Sequence, residues 1–582
     1  MSTVHRRTAA ESLVDQLLSY GVEFVFGTCG HTNIALLDAL GPSPIEFVIA
    51  RHEQAAAHAA DGYARASGKP GVLLTHVGPG LTNAVTGVLT AAMDSVPLVV
   101  ISGDIPSYYR GRHPHQEINL HADADQSAVY RPFAKRTWHP QRVEDLPRTL
   151  ERAFWTARSG RPGAVLVNVP MDLFSRPFEP DVLPPVPEIV RPALDQETGR
   201  RIAEALVAAD RPLIYFGGGV GTPAARAALL GLAEHLDIPL AHSLMAKGAL
   251  PDRHPLLLGM PGFWGLDSVH THTLGADLVL ALGTRFAETD ASSWEPAYTW
   301  DFSSGARLIQ IDLDPAEIGR NYAVHIGAVA DVGSALTAIH EAVRILHPDP
   351  VRRDGLRASI TAARGELFTQ AARDGRDDAF PLRPQRILAD LRAALPADAV
   401  LVTDVGWNKN GVAQCYDLPE AGRFITPGGA STMGFGPAAA LGVQIAEPER
   451  VVVALIGDGG MSAQLPAVPM AVEQGLPVIF VVMNNRAHGT IADLQRANFG
   501  RGYGCEFTDP QGRAYSPDFA AYGIACGAEG HTVAAPEDLA KALGDAIAAR
   551  RPAVIDVPMV NEPVPTPGHW NIKDIYQGRF EG

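Results

Sequence analysis

The sequence predicts an α/β protein made of three doubly wound parallel-sheet domains. Its 582 residues are enough for three or four domains. Short apolar runs alternate with segments of helical periodicity along most of the chain, the pattern of parallel strands covered on both faces by helices. Two stretches interrupt that pattern: a Pro-rich one, Asp181–Asp195, and a charged, strand-poor one, His347–Phe380. The expected units are therefore residues 1–185, 196–345 and 381–582.

In the first unit, AAESLVDQLLSYGV spaces its apolar residues for one helix face and stops at Gly21. The strands expected after it are Glu23–Gly27, Phe47–Ala50, Gly71–His76, Pro97–Gly103 and Ala164–Pro170. The second unit offers Pro212–Gly217, Ile238–Ser243, Leu278–Gly283 and Arg307–Asp314. His347–Phe380 reads as a helical connector. The third unit carries AVLVTDVG (Ala399–Gly406), VVVALI (Val451–Ile456), PVIFVVM (Pro477–Met483) and PAVIDVPM (Pro552–Met559). The tail from Pro563 onward has no clear pattern.

Composition narrows the function class. A hydrophobic content of 46% describes a soluble globular protein. A net charge of −16 argues against nucleic acid and anionic membrane as partners. The 4 cysteines (Cys29, Cys415, Cys505, Cys526) are far apart and form no CxxC pair, so a reducing cytoplasm is expected. The N-terminus lacks the apolar core of a signal peptide, and no apolar run approaches a membrane span.

The chemistry concentrates between Gly457 and Asn485. There an apolar strand ends in Gly-Asp-Gly, a helix-like segment follows, and a second apolar strand ends in Asn484-Asn485, with 24 residues between Gly459 and Asn484. In such strand–helix–strand units, ligands bind at the carboxyl ends of the strands. Asp458 offers a hard anionic oxygen and Asn485 a neutral one, a pair suited to Mg²⁺. Gly457 and Gly459 let the backbone approach a phosphate, and the next helix points N–H groups at it. A lone GDG is usually a turn, but this spacing between two apolar strands is specific.

A second constellation, RHEQAAAHAADGYARASGKPG, runs from Arg51 to Gly71 and puts Glu53 at a strand-to-helix junction. Taken alone, such a carboxylate is more often a helix N-terminal charge worth a few tenths to about 1 kcal/mol. Together with GPGLTN (Gly78–Asn83), LDPAEIG (Leu313–Gly319) and PGGASTMGFGPAAALG (Pro427–Gly442), these motifs resemble the acetolactate-synthase-like group of thiamine-diphosphate (ThDP) enzymes over nearly the whole length.

The resemblance implies a pyrimidine-binding, a central and a diphosphate-binding domain in that order. It also implies active sites between two subunits, hence a homodimer or homotetramer. Glu53 would be the carboxylic acid that activates the cofactor at N1′ of its aminopyrimidine. Asp458, Asn485 and the Ala487 carbonyl would ligate Mg²⁺. Met433 would prop the cofactor into its bent form, where the alternative is a gap-filling core Met. Ser431 stands where the family has a Gly whose carbonyl accepts from the 4′-amine. Val405, Gly406, Asn408, Gly429, Gly460 and His488, with Gly30 on the other half, complete the expected cofactor set.

The substrate side departs from acetolactate synthase proper. His31 replaces the second Gly of a Gly-Gly pair, His76 replaces a small residue ahead of GPG, and Leu494 stands where a Trp favours 2-oxobutyrate. Gln116-Glu117 is kept, with His113 and His115 before it. A lone His is more often structural, but a neutral imidazole at a strand end can donate to an oxyanion or exchange protons near pH 7. His31, His76 and Gln116 are therefore the substrate candidates. GGGVG (Gly217–Gly221) could hold a diphosphate, although Gly-rich turns after strands are common. Arg285 matches one flavin-contacting Arg; the second is absent from FAETDASSW, so FAD is expected in a non-redox role, with a vestigial domain that binds nothing or another nucleotide as the alternative. The expected activity is carboligation from a 2-oxo acid such as pyruvate to a carbonyl acceptor. Diketone or acyloin cleavage, ordinary acetolactate synthesis and non-catalytic ThDP binding stand as alternatives.

Overall fold

In the computed structural model, which describes residues 7–121, 125–186, 188–419 and 422–562, the apolar runs assemble into three six-stranded parallel sheets. The first contains β1 (Phe24–Gly27), β2 (Glu46–Ile49), β3 (Gly71–Thr75), β4 (Leu98–Asp104), β5 (Arg136–Trp138) and β6 (Ala164–Pro170) in the order β2-β1-β3-β4-β6-β5. The central sheet contains β7 (Pro212–Phe216), β8 (Leu240–His242), β9 (Leu257–Gly259), β10 (Leu278–Leu282), β11 (Arg307–Asp312) and β12 (Ile326–Val329). The third contains β13 (Val400–Thr403), β14 (Arg423–Ile425), β15 (Val452–Gly457), β16 (Ile479–Asn484), β17 (Glu529–Thr532) and β18 (Ala553–Pro558).

The order of the third sheet, β14-β13-β15-β16-β18-β17, repeats that of the first. Each reverses direction between its first and third strands, and a doubly wound sheet opens its binding crevice at that point. The central sheet, β12-β11-β10-β7-β8-β9, instead has the dinucleotide-binding order and reverses between β7 and β10. The connector forms one long helix, Leu356–Asp374. The tail from Pro563 lies outside the described residues. No described helix is long and apolar enough to cross a membrane.

Two helices join the first and third units. Glu53–Ser67 is a run of small residues because a second backbone lies against it: a Cβ on Gly62 would sit 2.1 Å from the Ala439 carbonyl oxygen. The partner is Phe435–Ala446, where a Cβ on Gly442 would sit 1.8 Å from the Ala59 carbonyl oxygen. Residue 59 facing 442 and residue 62 facing 439 make the pair antiparallel. Arg65 closes one end, bonded to Asp61, Asp94 and the Thr426 carbonyl and stacked 5.1 Å from the Phe435 ring centre.

The segment after Gly-Asp-Gly differs from the single helix expected. It forms two short helices, Asp458–Ala463 and Ala467–Glu473, separated at Gln464–Pro466. Pro466 explains the break, since a proline disfavours helical geometry in the residue before it.

Candidate functional site

One half-site forms where β13 and β15 end. Asp458 opens its helix directly after β15 and is nearly inaccessible, at 2% exposure. Its Oδ2 has no hydrogen-bond partner, and burial pushes its carboxyl up to about 7. The amide oxygen of Asn485 faces Asp458 Oδ1 at 3.1 Å and the Ala487 carbonyl oxygen at 3.0 Å; only with the amide turned over would its nitrogen donate to both. Carboxylate, amide and main-chain oxygens converging in this way fit a hard cation such as Mg²⁺.

The neighbouring backbone is drawn close by glycines. A Cβ on Gly459 would meet the His488 ring at 3.0 Å and Met433 Cε at 3.2 Å, so these three residues border one space. Met433 is 37% exposed, which excludes the gap-filling core role within one chain. Gly406 has φ +103 and precedes the helix Trp407–Cys415, a conformation that favours glycine. Asn408 donates to the Val405 carbonyl at 2.9 Å, while its own Oδ1 has no partner.

Sequence reasoning missed the residue that ties these loops together. Asp404 accepts from the Val405 N–H at 2.8 Å through Oδ1, and from the Gly434 and Gly436 N–H groups at 2.8 and 3.0 Å through Oδ2. A Cβ on Gly460 would lie 2.8 Å from the same carboxylate. Its position, an Asp at the end of an apolar strand, was the available signal.

The other half-site forms where β1 and β3 end. Glu53 begins its helix and accepts from Thr28 Oγ1 at 2.6 Å and from Asn83 Nδ2 at 3.0 Å. Beside it, His76 Nδ1 lies 2.7 Å from the Val77 carbonyl, so Nδ1 carries the proton and Nε2 accepts. His31 Nδ1 lies 3.0 Å from that Nε2 and must donate to it, which leaves His31 Nε2 unprotonated in the neutral pair. Burial, then the neighbouring His76 and His115, lower the pKa of His31. The His115 ring centre is 6.1 Å from that of His31. A Cβ on Gly30 would lie 1.8 Å from the His76 ring, which gives Gly30 a packing role beside its expected cofactor role. Gln116 adopts φ +67, with its carbonyl oxygen 2.1 Å from where Gly78 would place a Cβ.

Within one chain the two half-sites stand apart. Glu53 starts one helix of the antiparallel pair, whereas Met433 and Asp458 belong to the Arg65 end. The 12 residues from Glu53 to Arg65 span about 18 Å of helix.

The central unit contributes at the junction. Arg285 is half-exposed at most and donates to the Met93 carbonyl of the first unit at 3.0 Å. Gly217 and Gly219 have a packing reason: a Cβ on either would lie within 2.6 Å of Gly283. Gly218 and Gly221 meet nothing closer than 3.3 Å and leave room beside the loop.

Comparison with known proteins gives three family matches. The thiamine pyrophosphate enzyme N-terminal TPP binding domain matches residues 7–128, the central domain residues 200–339, and the C-terminal TPP binding domain residues 404–557. The chain is 32% identical to the acetolactate synthase large subunit of Haemophilus influenzae, covering 94% of this chain and 93% of that one. It is 31% identical to a probable acetolactate synthase large subunit of Methanocaldococcus jannaschii, covering 94% and 91%. It is 34% identical to the acetolactate synthase isozyme 1 large subunit of Escherichia coli, covering 86% of each.

Proposed function

This chain belongs to the acetolactate-synthase-like thiamine pyrophosphate enzymes, and on that premise we propose that it is a Mg²⁺-dependent carboligase. Its donor is a 2-oxo acid such as pyruvate, its acceptor a second carbonyl compound, and its product an α-hydroxyketone. The observation that carries the cofactor reading is the oxygen set of Asp458, Asn485 and Ala487 beside Gly459, His488 and Met433. Asp458, Asn485 and the Ala487 carbonyl hold the metal. Gly406, Asn408, Gly457, Gly459 and Gly460 would admit the diphosphate, and Met433, bordering the same space as Gly459 and His488, would support the cofactor. Bound ThDP supplies a carbon nucleophile and an electron sink for CO₂ loss.

Glu53 holds and returns a proton at N1′, oriented by Thr28 and Asn83. It lies too far along the helix pair to meet a cofactor seated on Asp458 of the same chain, so each site combines two chains in a homodimer or larger homo-oligomer. His31, His76 and Gln116 orient the substrate. The central unit's strand order supports a bound dinucleotide such as FAD, with Arg285 as its candidate contact; the missing second Arg is the ground for giving it a non-redox role.

A second reading, cleavage of a 1,2-diketone, is favoured by His31. Its unprotonated Nε2, on an exposed side chain, is suited to accept a proton from water or a substrate hydroxyl. Product analysis by NMR separates the readings. Tertiary alcohol and CO₂ from pyruvate plus diacetyl support the carboligase with a diketone acceptor. Acetolactate from pyruvate alone makes it an acetolactate synthase. Consumption of diacetyl without CO₂ supports cleavage. No turnover with any of these overturns the activity.

A further inference from the structure

The third unit buries a cation that the chemistry above does not use. Lys409, in the first turn of the helix Trp407–Cys415, is 3% exposed. Its ammonium donates to Ser431 Oγ at 3.0 Å and lies 5.4 Å from the ring centre of Trp264 in the central unit. Among the described residues no carboxylate comes within ion-pair distance of it. Burial lowers its pKa to about 8, against the pull of the Asp404 and Asp94 charges. An ammonium buried with one neutral acceptor costs stability, so its presence calls for a return elsewhere.

The return lies in what Lys409 holds. Ser431 has φ +46, the left-handed region that glycine adopts freely and serine does not. The residues around it are clamped from the first unit. Asp94 accepts from the Gly428 and Gly429 N–H groups at 3.0 and 2.6 Å, and the Thr432 hydroxyl meets that of Thr90 at 2.7 Å. Those contacts fix the segment on either side of Ser431. Lys409 is the cation that reaches the side chain of the strained residue itself.

We propose that Lys409 is a positioning residue that keeps Ser431 in its left-handed conformation and so presents the Ser431 carbonyl and Met433 to thiamine diphosphate. The inference rests on reading the Gly428–Met433 segment as part of the cofactor seat. It explains a serine at a glycine-like position: the strain of the side chain is offset by a hydrogen bond that glycine could not accept.

The test uses the full chain and its variants Lys409→Met, Ser431→Gly and the double variant. Cofactor affinity is read by titrating ThDP with Mg²⁺ against intrinsic fluorescence, and apoprotein stability by Tm. Lys409→Met is expected to weaken ThDP binding about tenfold, the loss of one charge-assisted hydrogen bond. The apoprotein Tm is expected to hold or rise, because the buried charge is gone. In the Ser431→Gly background the same change is expected to cost less than about threefold, since glycine holds φ +46 unaided. Equal affinity in wild type and Lys409→Met overturns the inference, as does a full tenfold loss in the Ser431→Gly background. A Tm that falls in step with affinity also overturns it, by making Lys409 a structural residue. Failure of the wild-type chain to bind ThDP overturns the cofactor reading itself, before any variant is compared.

Discussion

His76 Nε2 accepts from His31 Nδ1 at 3.0 Å, and the Val77 carbonyl 2.7 Å from His76 Nδ1 fixes the direction of that bond. Two histidines that look interchangeable in the sequence thus have unequal parts. His76 is buried and orients; His31 is exposed and keeps a free acceptor nitrogen.

That asymmetry has a pH signature. The pKa of His31 is lowered by burial and then by the neighbouring His76 and His115, so its neutral form persists below the ordinary histidine range. His76→Ala removes part of both causes, so the His31 pKa rises. The acidic limb of kcat/KM is expected to move to higher pH in His76→Ala, and to be absent in His31→Ala if His31 is the base. A pH–rate series on the three proteins checks this.

Asp458 carries the opposite signs for binding and stability. Its carboxyl is raised by burial to about 7, above its value in an unfolded chain. In the metal-free protein its contribution is present below the unfolded value near pH 3.9 and is lost as pH rises toward 7. Asp458→Asn is expected to raise the apoprotein Tm at pH 8 by about 2–5 °C, while weakening Mg²⁺ retention at least about tenfold. Calorimetry with and without Mg²⁺ reads both effects.

Glu53→Gln keeps the shape of the side chain and replaces the ionisable carboxyl with an amide that cannot act as acid or base near neutral pH. Turnover is expected to fall about 10²–10⁴-fold, with ThDP affinity changed far less. A variant that binds ThDP and keeps full turnover would remove Glu53 from the chemistry.

Gly62→Ala tests the helix pair. A Cβ there meets the Ala439 main chain, which cannot move as a side chain would. The expected loss is about 1–3 kcal/mol or more of stability, seen as a lower Tm. Gly544→Ala, where nothing lies within 4 Å of the new Cβ, is the control.

Much of this was legible in the chain, and the exceptions follow a rule. The central strands of each sheet announced themselves as apolar runs because both faces are covered. β5, β9, β12, β14 and β17 went unread, and each is an edge strand of three or four residues. Edge strands lack a neighbour on one side and give a shorter apolar signal. At the site, Asp458 and Asn485 stood out by spacing within one strand–helix–strand unit. Asp404, whose partners lie 30 and 32 residues away, did not. Nor did the Lys409–Ser431 contact, which joins residues 22 apart. Such pairs are made by the fold, and no local pattern records them. The glycines of Gly217–Gly221 were ambiguous for another reason: close packing against Gly283 and approach to a phosphate both require a missing Cβ.

The most direct test of the account is subunit mixing. Glu53→Gln and Asp458→Ala chains are each purified, shown to be inactive, then unfolded together or co-expressed and reassembled. If each site takes Glu53 from one chain and Asp458 from the other, half of the dimers are mixed and each mixed dimer has one intact site, so activity returns to about a quarter of wild type. Were both residues drawn from one chain, every site would carry a lesion, and the mixture would stay as inactive as its components.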